Sequence, residues 1–269
     1  ADNIFLEGGA QQAGGSIQYN VVVRNNILKK SDVSLGYAAQ KSNIFISDQN
    51  NINIYGNVFA GQPRVANMDN AGMIQGMNIF NNVFTGSTYT FQGPISFHTD
   101  QGINTPFSGV NIFNNTFVAS PAHGADIGLT NGKGSNVTIL NNIVDGNPES
   151  GNLAKFGYQY NVIFKTGVID YSSLQINNNV YNSGRNKPFL VDGTEFALNS
   201  WKTVLQGKGV AGYDSNSSFG AVNFVNRSGG DFRLASSDTL ARGTGVNLSS
   251  YCSSIPALCL DKDGNSRPA

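Results

Sequence analysis

Charge is scarce in this 269-residue chain, where Asp, Glu, Lys and Arg together make up 13%, about half of the roughly 25% usual in globular domains. Glutamate is almost missing, with three copies at Glu7, Glu149 and Glu195. A helical protein, which draws on strong helix formers and on glutamate in particular, is therefore not expected. The 17 Lys and Arg are balanced by 17 Asp and Glu. No basic excess remains to neutralise phosphates, so nucleic acid is not expected as a partner. No run of about 18 apolar residues occurs, so membrane insertion is not expected either. The start carries no basic-then-apolar leader. Ala1-Asp2-Asn3-Ile4-Phe5 reads like the middle of a strand, which suggests a trimmed form of something longer with flanking segments missing. Apolar residues reach 39%, too many for a disordered chain.

Cysteine occurs twice, at Cys252 and Cys259. That spacing can close a small disulfide loop in an oxidising compartment; the alternative is two free thiols in a cytosolic protein. With no histidine or second cysteine pair close by, a metal site there is not expected.

What is abundant is asparagine, 36 copies, and glycine, 32. The asparagines mark a repeat. Val21-Val22-Val23-Arg24-Asn25-Asn26-Ile27-Leu28 is the first copy. Later copies start at Ile52, Met77, Val110, Val137 and Leu174, the last being Leu174-Gln175-Ile176-Asn177-Asn178-Asn179-Val180-Tyr181. The aligned residues are Asn26, Asn57, Asn82, Asn115, Asn142 and Asn179, separated by 31, 25, 33, 27 and 37 positions. A fixed unit with insertions of varying length is the mark of a solenoid. Alternating apolar and polar residues give a strand with one buried face. The asparagine stands where the chain turns sharply, since it tolerates the left-handed backbone. Stacked in parallel rungs, its amide meets the same amide about 4.8 Å above and below. A second strand precedes several copies: Ile44–Ile46, Ile95–Phe97, Ile127–Leu129 and Val162–Phe164.

The six copies resemble the repeat of the right-handed parallel β-helix superfamily, which includes pectate, alginate and chondroitin lyases, polygalacturonases and phage tailspikes. The resemblance covers about residues 16 to 184. The tail resembles the C-terminal segment of many secreted bacterial β-helix proteins. It carries a tryptophan-bearing helix at Leu198–Gly207, for which Asn199 or Ser200 is a candidate cap. Phe224-Val225-Asn226, Gly230-Asp231-Phe232 and a closing Asp263-Gly264-Asn265-Ser266-Arg267-Pro268 follow. The fold expectation is all-β: a single right-handed parallel β-helix in residues 1–184, with an irregular C-terminal capping segment in residues 185–269 that wraps back and protects the open end.

The resemblance implies a secreted or cell-surface protein directed at polysaccharide, with β-elimination as the leading reaction. Such chemistry needs a base and a cation or arginine beside a uronate carboxylate. Ionisable residues at comparable places in successive rungs are therefore the candidates. Lys165 and His98 are read as catalytic bases. Asp48, Asp100, Lys133 and Tyr160 are read as substrate-binding, with calcium as a candidate cofactor at Asp48 and Asp100. Tyr158 and Tyr171 offer further stacking faces. His123 falls in a loop insertion, and Asp145 and Asp170 read as turn residues. The motifs of polygalacturonases and pectate lyases do not occur intact. A non-catalytic extracellular adhesin, filament or surface spacer is therefore the alternative, with a trimeric tailspike-like module as a third reading, since fold does not dictate function.

Overall fold

The computed structural model describes residues 4–7, 18–29, 44–47, 49–61, 65–67, 74–88, 93–97, 106–121, 123–130, 132–145, 158–165 and 167–267. Among these the strands form three stacked sheets, parallel throughout except for one hairpin strand, Thr194–Phe196, at an edge. A separate two-stranded hairpin pairs Phe224–Asn226 with Asp231–Leu234. Among the described residues one α-helix occurs, α1, at Leu198–Gly207. The all-β class holds, and the arrangement is compatible with a parallel β-helix.

The chain visits sheets 1, 2 and 3 in turn and returns to sheet 1 one strand further on. Seven rungs are described, from Ile4–Glu7 to Phe189–Val191 on sheet 1. Rung 5 shows the pattern: His123–Leu129 on sheet 1, Lys133–Leu140 on sheet 2 and Ile143–Asp145 on sheet 3. The four short strands expected ahead of the asparagine copies all lie on sheet 1, with Ile95, Ile127 and Val162 side by side. Val65–Asn67 joins the same sheet. Three residues with one β-branched side chain carry too little alternation to be read from sequence.

Period-2 alternation puts one face of each strand inside. Ile54, Ile79, Ile112, Ile139 and Ile176 line up on sheet 2, all fully buried. On sheet 3, Phe59, Phe84 and Phe117 stack with ring centroids 4.8 and 4.7 Å apart. Like residues recur because each rung presents the same inward position to its neighbour at the strand spacing.

The corner between sheets 2 and 3 divides between two residues a task the sequence reading gave to one. The left-handed backbone belongs to the residue before each aligned asparagine: Asn25, Asn81, Asn114, Asn141 and Asn178 have φ between +51° and +59°, and Gly56 takes the place in rung 2. The aligned asparagines themselves point inward. From Asn57 to Asn179 they are buried. Each donor from Asn26 to Asn142 gives its backbone N–H and its side-chain amide to the asparagine Oδ1 of the next rung. Asn82 reaches Asn115 in this way at 3.1 and 3.0 Å, and Asn115 reaches Asn142 at 3.1 and 3.1 Å. Every Asn-to-Asn bond of the ladder runs toward rung 7, while each buried amide's other N–H donates back to a carbonyl of the preceding rung, as Asn82 does to Ile54.

Sheets 1 and 3 continue beyond the expected boundary at residue 184, through Phe189–Val191 and Ser218–Phe219. That last rung has no asparagine pair, so its sequence does not advertise it. In place of a sheet 2 strand it carries α1, whose Trp201 and Leu205 are fully buried in the main core. The Trp201 ring stacks on Phe189 at 4.8 Å and covers the open end. Neither Asn199 nor Ser200 caps α1; the helix starts earlier, with Ala197 at the cap and no side-chain bond there. Trp201 N–H donates to the Ala197 carbonyl.

The remainder of the tail runs back along the outside of the asparagine corner as a strap. Asn178 holds the Thr244 carbonyl, Asn141 the Val246 peptide, and Asn81 the Leu260 carbonyl. Beneath it, Phe80, Phe113 and Leu140 form a second apolar cluster with Leu248, Ile255 and Leu258. Cys252 and Cys259 are joined as a disulfide within this strap.

Candidate functional site

Strand register decides which of the candidate residues share a row. On sheet 1, Leu129, Phe164 and Val191 lie side by side, and their backbone bonds align the residues that follow: Thr130, Lys165 and Asp192. Lys165 is therefore level with Thr130 and not with Lys133. Lys133 is exposed three positions later, where it opens the sheet 2 strand in register with Pro106. The intervening Gly132, with φ +97°, turns the chain between the two sheets. His98, Asp48 and Asp100 lie outside the described residues, as does the side chain of Tyr158. His123 opens a sheet 1 strand and not a loop insertion; its side chain is also outside the description.

The row has a consistent chemistry. Lys165 is exposed and makes no ion pair with any described residue. One rung on, Asp192 takes the Lys208 ammonium at 2.7 Å and a hydrogen bond from the Tyr171 hydroxyl at 3.3 Å. The same ammonium sits 4.5 Å from the centre of the Tyr171 ring. Burial, with Asp192 beside it, pushes the Tyr171 hydroxyl well above its ordinary range, so Tyr171 acts as a neutral donor. Asp170 forms a turn as expected, its carboxylate accepting from Ser172 N–H at 3.1 Å. The edge between sheets 1 and 2 over rungs 5 to 7 thus carries the Thr130 hydroxyl, which donates to the Phe97 carbonyl at 3.1 Å, the exposed Lys165 ammonium and a paired carboxylate at the strand spacing.

Tyr160 does not join it. Its ring is 4% exposed, its hydroxyl donates to Glu195 Oε1 at 2.5 Å, and the Arg185 guanidinium lies 4.8 Å from its centre. Arg185 also pairs with Glu195 at 2.7 Å. Packing against Ala125 and Ile163 makes Tyr160 a satellite core residue and leaves no open face for a sugar. Sequence alone could not show this, because aromatic rings serve cores and stacking platforms equally well.

The ionisable groups that sequence reading missed are buried. Asp145, read as a turn residue, ends a sheet 3 strand at 1% exposure, paired with Arg227 from the tail and bonded by Asn182 at 2.7 Å. Near it Asp126 is fully enclosed. Asn161 donates to its Oδ2 at 3.3 Å, while Asp126 Oδ1 and Asn161 Oδ1 have no partner among the described residues. Burial, and secondarily the Asp145 charge, raise the Asp126 carboxyl well above 3.8, against the opposing Asn161 bond. An acid whose folded pKa is raised costs stability at pH values above its folded pKa, and the penalty fades as pH falls toward the unfolded value. Asp126→Asn, which keeps the shape and removes the charge, is expected to melt higher than the native protein near neutral pH. The gain should shrink on acidification and vanish below about pH 4. Melting curves of both proteins across pH test this; a gain that is constant with pH would contradict it.

A third buried carboxylate, Asp214, ends the asparagine ladder. Ser217 Oγ accepts the Asn179 N–H at 2.8 Å and donates to Asp214 in turn. The two Asp214 oxygens also receive the Trp201 indole at 2.8 Å, the Tyr181 hydroxyl at 2.8 Å and the Asn179 amide at 3.3 Å. The Asn-to-Asn bonds all run toward this end, so its last donors need acceptors, and the Asp214 carboxylate, which only accepts, supplies them together with the Ser217 hydroxyl. Among the described residues no group of three or more His, Cys, Asp or Glu is placed to hold a metal ion. The calcium expectation rested on Asp48 and Asp100, so the described residues do not supply a site for it. No family model, curated protein or solved structure matches this chain.

Proposed function

We propose that this chain is a right-handed parallel β-helix of the secreted or cell-surface kind that binds an acidic polysaccharide along the edge between sheets 1 and 2. The observation that carries the reading is the row Thr130, Lys165 and Asp192, set in register by the strands. Parallel rungs repeat every 4.7–4.9 Å or so, close to the length of one sugar unit. A linear polymer laid along the row therefore meets one polar group per unit. Lys165 is the cation for a uronate carboxylate, with the exposed Lys133 beside it and Tyr171 and Lys208 ahead. The Cys252–Cys259 disulfide supports an oxidising location.

Cleavage by β-elimination is the catalytic arm of the proposal, with Lys165 and His98 as its bases. A base takes the proton next to the uronate carboxylate, the bond to the neighbouring sugar oxygen breaks, a carbon–carbon double bond forms, and the leaving oxygen takes up a proton. The second reading is a non-catalytic extracellular solenoid or filament module. The continuous amide ladder favours it, since it stiffens the whole length and serves no local chemistry.

Affinity electrophoresis against a panel of uronate polysaccharides separates these readings, with ultraviolet absorbance of the unsaturated product followed in parallel. Retardation by at least one polymer is expected, weakened about tenfold by Lys165→Ala, as befits one charge-assisted contact. Absorbance growth adds the catalytic arm. No retardation by any polymer would leave the structural reading standing.

A further inference from the structure

The outward asparagines of the corner form a column, and the strap reads them one by one. Asn178 donates its amide to the Thr244 carbonyl at 3.0 Å. Asn141 makes a two-way pair with one residue, donating to the Val246 carbonyl and accepting the Val246 N–H, both at 2.8 Å. Asn81 donates to the Leu260 carbonyl at 2.8 Å and accepts from the Arg267 guanidinium at 2.7 Å. Rung 4 breaks the series. Asn114 has the same left-handed backbone, φ +51°, yet its side-chain amide has no partner among the described residues. It faces a cavity of about 650 Å³ between the strap and the corner.

That cavity is built from complementary parts. Its floor includes Ile143 and Val180, and Phe232 and Leu234 form a wall. Arg242 stands at the rim, exposed and without an ion pair among the described residues. Among the described residues no Asp or Glu lines the cavity, and its charged lining residues are Arg242 and Arg267. A ligand that fits must offer a carbonyl acceptor to Asn114, as the strap does to Asn178, Asn141 and Asn81, a small apolar group to the floor or wall, and a negative charge to Arg242.

We propose that this cavity binds an N-acetylated saccharide joined to a uronic acid. The acetamido C=O accepts from the Asn114 amide as the Thr244 and Leu260 carbonyls accept from Asn178 and Asn81. Its methyl rests on the apolar lining, and the carboxylate meets Arg242. The inference rests on the carbohydrate reading above but concerns a different face of the molecule, beneath the strap and away from Lys165.

The test is calorimetry of the whole chain with an oligosaccharide of alternating glucuronate and N-acetylglucosamine, beside its N-deacetylated form. The acetylated oligosaccharide is expected to bind about fivefold more tightly, the worth of one neutral hydrogen bond. Asn114→Gly should abolish that difference. Glycine suits the turn, since Gly56 holds the same place in rung 2 with φ +65°, and an unchanged melting curve verifies the fold. Arg242→Gln should weaken both oligosaccharides alike. Equal binding of the two by the native protein would overturn the proposal, as would a difference that survives Asn114→Gly. Equally tight binding of a blocked acetyl-amino-acid amide would also overturn it, by showing that the site reads peptides. The two readings fail separately: retardation by an acetamido-free polyuronate, lost in Lys165→Ala, would persist if this cavity bound nothing.

Discussion

Replacing Asn115 by alanine is expected to cost about 4 kcal/mol of folding free energy, at about 1 kcal/mol for each of the four hydrogen bonds lost. Asn115 Oδ1 accepts both the backbone N–H and the side-chain amide of Asn82. Its own amide donates to the Ile79 carbonyl at 2.8 Å and to Asn142 Oδ1 at 3.1 Å. Asn82, Asn115 and Asn142 are each 1% exposed, so water cannot replace the missing acceptor. The Asn82 backbone N–H is left orphaned inside the protein. Asn115→Asp should be no milder, because the carboxylate keeps the acceptor but loses the donor and buries a charge. Asn26→Ala, in the exposed first rung, should cost under about 1 kcal/mol. Denaturant titration of the three variants measures this. Equal, small effects at Asn26 and Asn115 would mean that the ladder is not a stabilising device.

Asp214→Ala is the companion expectation, at about 3–5 kcal/mol, the usual range when one side of a buried charged network is removed. Four donors converge on this carboxylate, from Trp201, Tyr181, Ser217 and Asn179. Burial raises its pKa, while hydrogen bonds from Ser217, Trp201, Tyr181 and Asn179 work in the opposite direction. Asp214→Asn is expected to be nearly as costly, because its NH2 group must face at least one of the four donors. Losing the anchor should also release Trp201 from its place over Phe189. The test pairs denaturant titration with indole fluorescence, which reports one residue because the chain has one tryptophan. A stability loss of less than about 1 kcal/mol, or an unmoved emission maximum, would show that the ladder ends without needing this acceptor.

Both expectations concern the same device at different points. Neutral amides whose mutual bonds all run one way polarise one another, and the end of such a row is where an ion is best placed. The exposed first rung and the buried last one therefore differ in consequence, although their sequence copies look alike.

The repeat was legible in the sequence because its physics is local. Alternation specifies which side chains of Ile52-Asn53-Ile54 or Val137-Thr138-Ile139 face inward. The asparagine pair marks the corner, and the parallel stacking follows once equal units must bury equal faces. The division of labour within each pair was less visible, since Asn114 and Asn115 are chemically identical and only the corner geometry makes one left-handed and the other a rung of the ladder. The candidate site was legible in part. The place of Lys165 after Val162-Ile163-Phe164 could be read, whereas Lys133 was assigned to the wrong row because the length of the turn through Gly132 is not encoded by periodicity.

What the sequence by itself determined is the all-β class, the rungs and their corners, and the helix that carries Trp201. Only the tertiary structure decided that Tyr160 is a packed residue under Arg185, that Asp126, Asp145 and Asp214 are buried, and that the strap leaves Asn114 uncovered. The reason is contact range. Alternation and turn chemistry act over a few residues, whereas Asn141 meets Val246 across 105 positions and Asn81 meets Arg267 across 186. Contacts of that kind depend on where a reversing tail lays its peptide groups, and no local pattern in the chain records it.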